Sequence, residues 1–202
     1  MRISEIFRSI QGEGRSQGRP CTFLRFSGCN LRCRWCDTPY ALEGGIEKNG
    51  DEIEREIVSC GGRFLCITGG EPLLQGEPLL QLVAHLAAMG YSTEIETNGT
   101  IDFSPFQPYA SITMDVKCPS SGEESDLSLL SRISPADSIK FVVQDGNDCE
   151  YAAGVLKHNP VAGEIFFSPV YGTDPRVVAS FLLDRDLPAR LQLQLHRILG
   201  VR

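Results

Sequence analysis

The chain has 202 residues, 42% of them hydrophobic and 22% charged, a balance ordinary for a folded globular protein and at odds with intrinsic disorder. With 19 Lys and Arg against 26 Asp and Glu, the formal net charge is −7, which argues against a general nucleic-acid binder but leaves room for a local basic pocket. No apolar run reaches the roughly 18 residues of a membrane helix, and residues 1–6 lack a signal-peptide apolar stretch, so a cytoplasmic location with no membrane partner is expected.

In chain order, short apolar runs that suit strands lie at residues 22–26, 64–68, 93–97, 112–116, 140–143, 165–168 and 191–195. Helical patterns fall between several of them. Residues 51–60 space Ile53, Ile57 and Cys60 on one face, and residues 79–89 do the same with Leu79, Leu82, Val83, Leu86 and Met89. Residues 149–157 and 176–183 read alike, the latter preceded by Asp174-Pro175 as an N-cap and first-turn pair. Strands alternating with helices predict an α/β fold of parallel βαβ units. A complete eightfold barrel typically takes about 250 residues, so the expectation is one domain over 1–202 forming a partial TIM-like βα barrel, with about six core parallel strands and fewer helices.

Ligands of such sheets bind at the C-terminal ends of the strands. Four turns fall there: Thr68-Gly69-Gly70-Glu71-Pro72, Thr97-Asn98-Gly99-Thr100, Lys117-Cys118-Pro119-Ser120 and Ser168-Pro169-Val170-Tyr171-Gly172. Each alone is ordinary turn chemistry; four on one face mark a ligand site.

Eight Cys in a reducing compartment are metal ligands, core residues or a mixture. Cys29, Cys33 and Cys36 stand in Cys-x3-Cys-x2-Cys spacing within a short loop. Structural zinc usually takes four ligands, and His85, His158 and His196 are all far downstream. A four-iron cluster held by three Cys fits better, since its fourth iron stays open. Zinc completed by a distant ligand, or chance clustering, are the alternatives. Cys21, Cys118 and Cys149 are not spaced for a second cluster, and Cys66 and Cys60 read as a core and a helix-face residue.

This spacing after the 22–26 strand, with Trp35 just before the last Cys and Gly69-Gly70-Glu71-Pro72 after the next core strand, resembles the radical S-adenosylmethionine superfamily. The resemblance implies a barrel of the radical SAM type and a 4Fe–4S cluster on Cys29, Cys33 and Cys36. S-adenosylmethionine would chelate the open iron, and its one-electron cleavage would release a 5′-deoxyadenosyl radical that abstracts hydrogen from the substrate. Within that superfamily, Glu5-Ile6-Phe7-Arg8-Ser9-Ile10-Gln11-Gly12-Glu13-Gly14 resembles the opening of the 7-carboxy-7-deazaguanine synthase family. Arg19-Pro20, the run from Phe23 to Leu31, Trp35-Cys36-Asp37-Thr38, the run from Glu96 to Thr100 and the run from Asp115 to Gly122 continue the match, which extends to the tail at 193–202.

Membership would imply conversion of 6-carboxy-5,6,7,8-tetrahydropterin to 7-carboxy-7-deazaguanine with loss of ammonia, in queuosine and archaeosine precursor synthesis. It would also imply Mg²⁺, an electron donor such as flavodoxin or ferredoxin, and a homodimer. The pterin would be held by Ile10, Gln11, Gly12, Glu13, Arg25 and Thr68, where Glu13 can accept from the amino-pyrimidine edge and Arg25 can fork onto a carboxylate. An ordinary turn at 11–14, a structural salt bridge for Arg25 and a plain strand residue at Thr68 are the competing readings.

Thr38 resembles the Mg²⁺ ligand, against a turn or N-cap role before Pro39. S-adenosylmethionine contacts are expected from Trp35, Cys36, Asp37 and Gly70, then Glu71, Asn98, Lys117, Cys118, Pro119 and Ser168, with Lys117 on the surface and Ser168 in a strand-end turn as the alternatives. The short segment between Cys36 and Asp51 implies a pocket built from minimal loops, and His196 reaches the active-site face if a strand at 191–195 joins the barrel, with a solvent-facing His as the equal alternative. The rivals are a glycyl-radical enzyme activase, which would need a protein partner, and a non-enzymatic iron–sulfur or zinc protein. Gln11-Gly12-Glu13-Gly14 favours the synthase over the activase.

Overall fold

The computed structural model describes residues 1–201; Arg202, the last residue of the tail matched above, lies outside the described residues. The strands are β1 (Arg2–Ile10), β2 (Pro20–Phe26), β3 (Ile46–Glu47), β4 (Phe64–Gly69), β5 (Ser92–Thr97), β6 (Ala110–Val116), β7 (Ser138–Val143), β8 (Glu164–Pro169) and β9 (Arg190–Leu191). The helices are α1 (Gly50–Cys60), α2 (Glu77–Ala88), α3 (Gly146–His158), α4 (Pro175–Arg185) and α5 (Leu195–Leu199). The strands form one sheet in the order β3-β1-β2-β4-β5-β6-β7-β8-β9. From β2 to β9 every neighbouring pair is parallel, while β1 pairs antiparallel with β2 and with β3. The result is an unclosed, mostly parallel α/β sheet of partial-barrel type, as expected.

Period-2 alternation splits the strands into two faces. Leu24 and Phe26, Leu65 and Ile67, Ile95, Ile112 and Met114, Ile139 and Phe141, and Ile165 and Phe167 belong to one apolar core. Ile53 and Ile57 of α1, Leu82, Val83 and Leu86 of α2, Ala152 of α3 and Val178 of α4 belong to the same core, so the helices cover that face. The alternate positions are different in kind: Arg25, Thr68, Glu94, Glu96, Thr113, Asp115, Ser138 and Lys140. The polar set therefore faces the barrel interior. Helix starts are secured locally. Asn49 and Glu52 form a capping box on α1, Asp145 accepts from Asn147 N and Asp148 N at α3, and Asp174 caps α4 with Pro175 in its first turn.

Two elements differ from expectation. The strand expected at 191–195 stops at Leu191, and Leu195 opens α5. Gln192 N still bonds Phe167 O, but Leu195 N turns instead to Gly12 O at 3.0 Å, so the segment leaves the ladder to bind the loop at 11–18. The strand at 22–26 is the second in the sheet's chain order, because β1 precedes it. A register shift between Ile3 and Glu5 puts one extra residue in β1, so Ile3 joins the helix-side core while Phe7, of the same parity, joins a separate cluster with Phe23, and β1 shows no continuous alternation.

Candidate active site

A cavity of about 390 Å³ opens at the C-terminal ends of the parallel strands. Cys29, Cys33 and Cys36 all line it and are half-buried. Their loop is pinned to the segment after β6. Arg34 N donates to Ser121 O at 2.9 Å, Arg32 N to Glu123 Oε1 at 2.6 Å and Trp35 Nε1 to Ser120 Oγ at 3.1 Å. On the other side the end of β4 presses against it. A Cβ at Gly70 would lie 2.0 Å from Gly28 O and 3.0 Å from Cys29 Cβ, so only glycine permits this approach.

Burial raises the Cys33 thiol above its ordinary value; Lys117 opposes this, while Asp115, Cys36 and Cys29 add to it. Asn98 Nδ2 reaches Cys29 Sγ at 3.8 Å and Asn30 Oδ1 at 2.9 Å. Among the described residues no three Cys, His, Asp or Glu side chains converge tightly enough to hold a single metal ion. A four-iron cluster spreads its thiolates more widely than a single ion does, so three thiols around one glycine-lined recess suit that group.

The cavity floor is polar. Arg25 pairs with Glu5 through Nε at 2.9 Å, and Tyr40 Oη donates to the same Glu5 oxygen at 2.9 Å. Thr68 Oγ1 donates to Glu96 Oε2 at 2.8 Å, and Gln11 Nε2 donates to Glu96 Oε1, Glu94 Oε1 and Cys66 Sγ. Lys140 bridges Glu13 and Asp115, and Asp115 also takes Lys117 at 2.9 Å. Burial pushes Glu94 up, with Glu96 adding to it, to about 7. Burial opposes ionisation of Asp115, yet Lys117 and Lys140 hold it below the ordinary carboxylate value. The tail forms one wall. A Cβ at Gly12 would meet His196 Nδ1 at 2.1 Å, so that glycine lets α5 seat against the loop.

Most expected site residues line this one cavity: Ile10, Gln11, Gly12, Glu13, Arg25 and Thr68; Trp35, Cys36, Asp37 and Thr38; and Gly70, Asn98 and Lys117. Four do not. Glu71 is fully buried and accepts from Leu73 N, Thr97 Oγ1 and Asn98 N, so it fastens two strand ends together. Cys118 is buried with its thiol turned toward Val116 O, and Pro119 begins the turn Pro119–Ser121. Ser168 is buried, its hydroxyl without a hydrogen-bond partner among the described residues. Lys117 is not a surface residue; it is 8% exposed. His196 reaches the cavity from a helix rather than a strand. Asp115, Lys140, Glu96 and Gln194 line the cavity without having been singled out as site residues. For Asp115, Lys140 and Glu96 the sequence signals only that a charged residue inside a strand of a covered sheet needs a partner; which partner is fixed by the folded sheet, and Gln194 carries no such signal.

An unclosed parallel barrel with three thiols at its mouth defines a class, the radical S-adenosylmethionine enzymes, and the Radical SAM superfamily model matches residues 24–114. A crystal structure of QueE from Escherichia coli superposes with a TM-score of 0.81 at 27% identity, covering 96% of this chain and 94% of that one. Streptococcus suis SuiB shares the fold, with a TM-score of 0.62 at 15% identity over 85% of this chain and 47% of its own.

A protein named 7-carboxy-7-deazaguanine synthase from Methanospirillum hungatei is 48% identical over 201 residues, spanning 100% of this chain and 86% of its own. One of the same name from Thermoplasma acidophilum is 36% identical, spanning 98% and 97%. The chain belongs to the 7-carboxy-7-deazaguanine synthase family. Membership brings a 4Fe–4S cluster and S-adenosylmethionine as cofactors.

Proposed function

We propose that the chain, as a single domain, converts 6-carboxy-5,6,7,8-tetrahydropterin to 7-carboxy-7-deazaguanine with release of ammonia. The observation that carries this reading is that the thiol loop and the polar floor open into one cavity. Cys29, Cys33 and Cys36 would hold the cluster, and Gly70, Asn98, Lys117 and the 35–37 segment would bind S-adenosylmethionine. When bound, that pair supplies the radical that takes a hydrogen atom from C6 of the pterin.

The chain's own residues bind and orient. Gln11, Gly12 and Glu13 offer backbone groups and a carboxylate to the flat amino-pyrimidine edge. Arg25 already spends Nε on Glu5, and its terminal N–H groups would take the substrate carboxylate. Thr68 sits between Arg25, its register partner on β2, and Glu96, and completes the floor. Thr38, whose side chain makes no capping bond, would give Mg²⁺ a hydroxyl oxygen. A flavodoxin- or ferredoxin-type donor would reduce the cluster, and a cytoplasmic homodimer would be the working form. No helix is long and apolar enough to cross a membrane among the described residues.

The test is anaerobic turnover of the reconstituted enzyme with the carboxypterin, reading product and ammonia. Product formation supports the reading. Cleavage of S-adenosylmethionine with no product from this pterin would overturn the substrate while leaving the class intact.

A further inference from the structure

The cavity floor holds a lysine that the reaction class does not call for. Lys140 on β7 stands directly across the ladder from Asp115 on β6. It is 6% exposed and lines the cavity. Its ammonium touches two carboxylates from different parts of the chain: Glu13 Oε2, in the loop between β1 and β2, at 2.5 Å, and Asp115 Oδ1 at 3.1 Å. The two depend on it unequally. Asp115 has a second cation, Lys117. Glu13 has no other ion pair among the described residues, and its Oε1 accepts only the neutral Gln194 amide, at 2.8 Å.

We propose that Lys140 is the positioning residue that keeps Glu13 ionised and aimed into the cavity, so that Glu13 accepts hydrogen bonds from the amino edge of the pterin. This rests on the substrate proposed above. Lys140 acts through Glu13 and need not touch the substrate.

The physical ground is desolvation. A buried carboxylate without a cation takes up a proton and becomes a poor acceptor. Burial pushes the Glu13 carboxyl up, Lys140 brings it below the ordinary carboxylate value, Asp115 opposes Lys140 and Gln194 assists it. The remaining titratable groups around Glu13 do not replace that cation. Glu94 on β5 lies against Gly14, with Glu96 beside it, and a carboxyl in either state supplies no cation. His196 on α5 lies against Gly12, and Lys117 is held on Asp115.

The experiment uses the reconstituted holoenzyme and steady-state carboxypterin kinetics between about pH 6 and about 9, where a desolvated carboxyl titrates. Wild type, whose Glu13 stays ionised across this range, sets the reference profile, including any response of the raised Glu94 carboxyl. Lys140→Met should raise KM at neutral pH by at least about tenfold, the equivalent of one lost charge-assisted hydrogen bond, with kcat nearly preserved. The sign follows from Glu13: its raised pKa leaves it neutral at low pH, so the variant's KM should fall as pH rises and Glu13 ionises.

Lys140→Arg should restore the wild-type profile. Lys140→Met combined with Glu13→Gln should show a high KM that lacks the fall with rising pH seen in the single variant, since Glu13 can no longer titrate. Lys140→Gln removes the charge but keeps a donor, and it carries the same expectation should the methionine variant not fold. The cluster's absorption and electron paramagnetic resonance spectra should be unchanged throughout. A KM equal to wild type at every pH, or one raised equally at every pH, overturns the role of Lys140 while leaving the substrate in place. A wild type inert toward the carboxypterin overturns the substrate and this role together.

Discussion

Thr38 precedes the turn Pro39–Ala41 in the capping position, yet its side chain makes no capping bond and its Oγ1 lies 4.0 Å from Cys36 Sγ. The turn position expected of a Thr before Pro is thus occupied, while the hydroxyl stays available at the cavity wall. If that oxygen holds Mg²⁺ beside the substrate carboxylate, removing it misorients the pterin and should leave the thiol loop unaffected. Orientation of this kind is worth several kcal/mol of barrier. Thr38→Val keeps shape and β-branching. We expect it to retain its cluster and its uncoupled cleavage of S-adenosylmethionine, to form product at least about tenfold more slowly, or ~1.4 kcal/mol in barrier, and to require more Mg²⁺. Product formation titrated against Mg²⁺ decides the matter. Superimposable curves for the two proteins would move the ion to another residue.

At the scale of elements, the loop at 11–18 and the chain end are tied into one unit. Gln192, 4% exposed, accepts from Gly14 N at 2.8 Å and donates to Gly14 O at 2.9 Å, closing both backbone groups of one residue with one amide. Gln17 Nε2 bonds Gly12 O and Leu193 O. Gln192→Ala leaves the buried Gly14 N–H without its partner and its carbonyl with only the longer bond from Gln17 N at 3.4 Å, which should cost about 2 kcal/mol of stability and raise the KM for the carboxypterin more than that for S-adenosylmethionine. Equal changes in the two KM values would mean that the strap serves the fold and not the pterin side of the cavity.

This unit is where the sequence is hardest to read. The helix-facing halves of the parallel strands announce themselves as apolar runs, and the caps at Asn49, Asp145 and Asp174 are local. The contact between Gln192 and Gly14 spans 178 residues and carries no local signal. The alternation of Leu191, Leu193 and Leu195 imitates a strand although the segment follows the loop and not the ladder. The cysteine spacing and the glycine pair were legible because a ligand dictates their spacing. Asp115 and Lys140 were not, because their meaning lies in a register between strands that only the folded sheet fixes.

For the molecule as a whole, a partial barrel this short places charge where larger folds place apolar side chains, and its stability should follow the titration of that interior. Glu94 is 2% exposed, faces Glu96 and has no cation in contact among the described residues. Burial first, and Glu96 second, raise its carboxyl from 4.5 to about 7. The native state therefore holds a proton that the unfolded chain releases at lower pH. Between those two values the unfolded state binds fewer protons, so stability falls as pH rises, and the loss is complete above the folded value. A shift of that size corresponds to on the order of 3 kcal/mol. Glu13 and Asp115, held low by their lysines, act in the opposite sense, and their contribution is lost only as pH falls into the acid range. Glu94→Gln keeps an acceptor for the Gln11 amide and removes the titration. Its gain over wild type in unfolding midpoint should be larger at about pH 8 than at about pH 5, since only the former ionises the buried Glu94. A difference between the two proteins that is the same at both pH values would show that Glu94 does not titrate in this window and that the interior charge is compensated by another group.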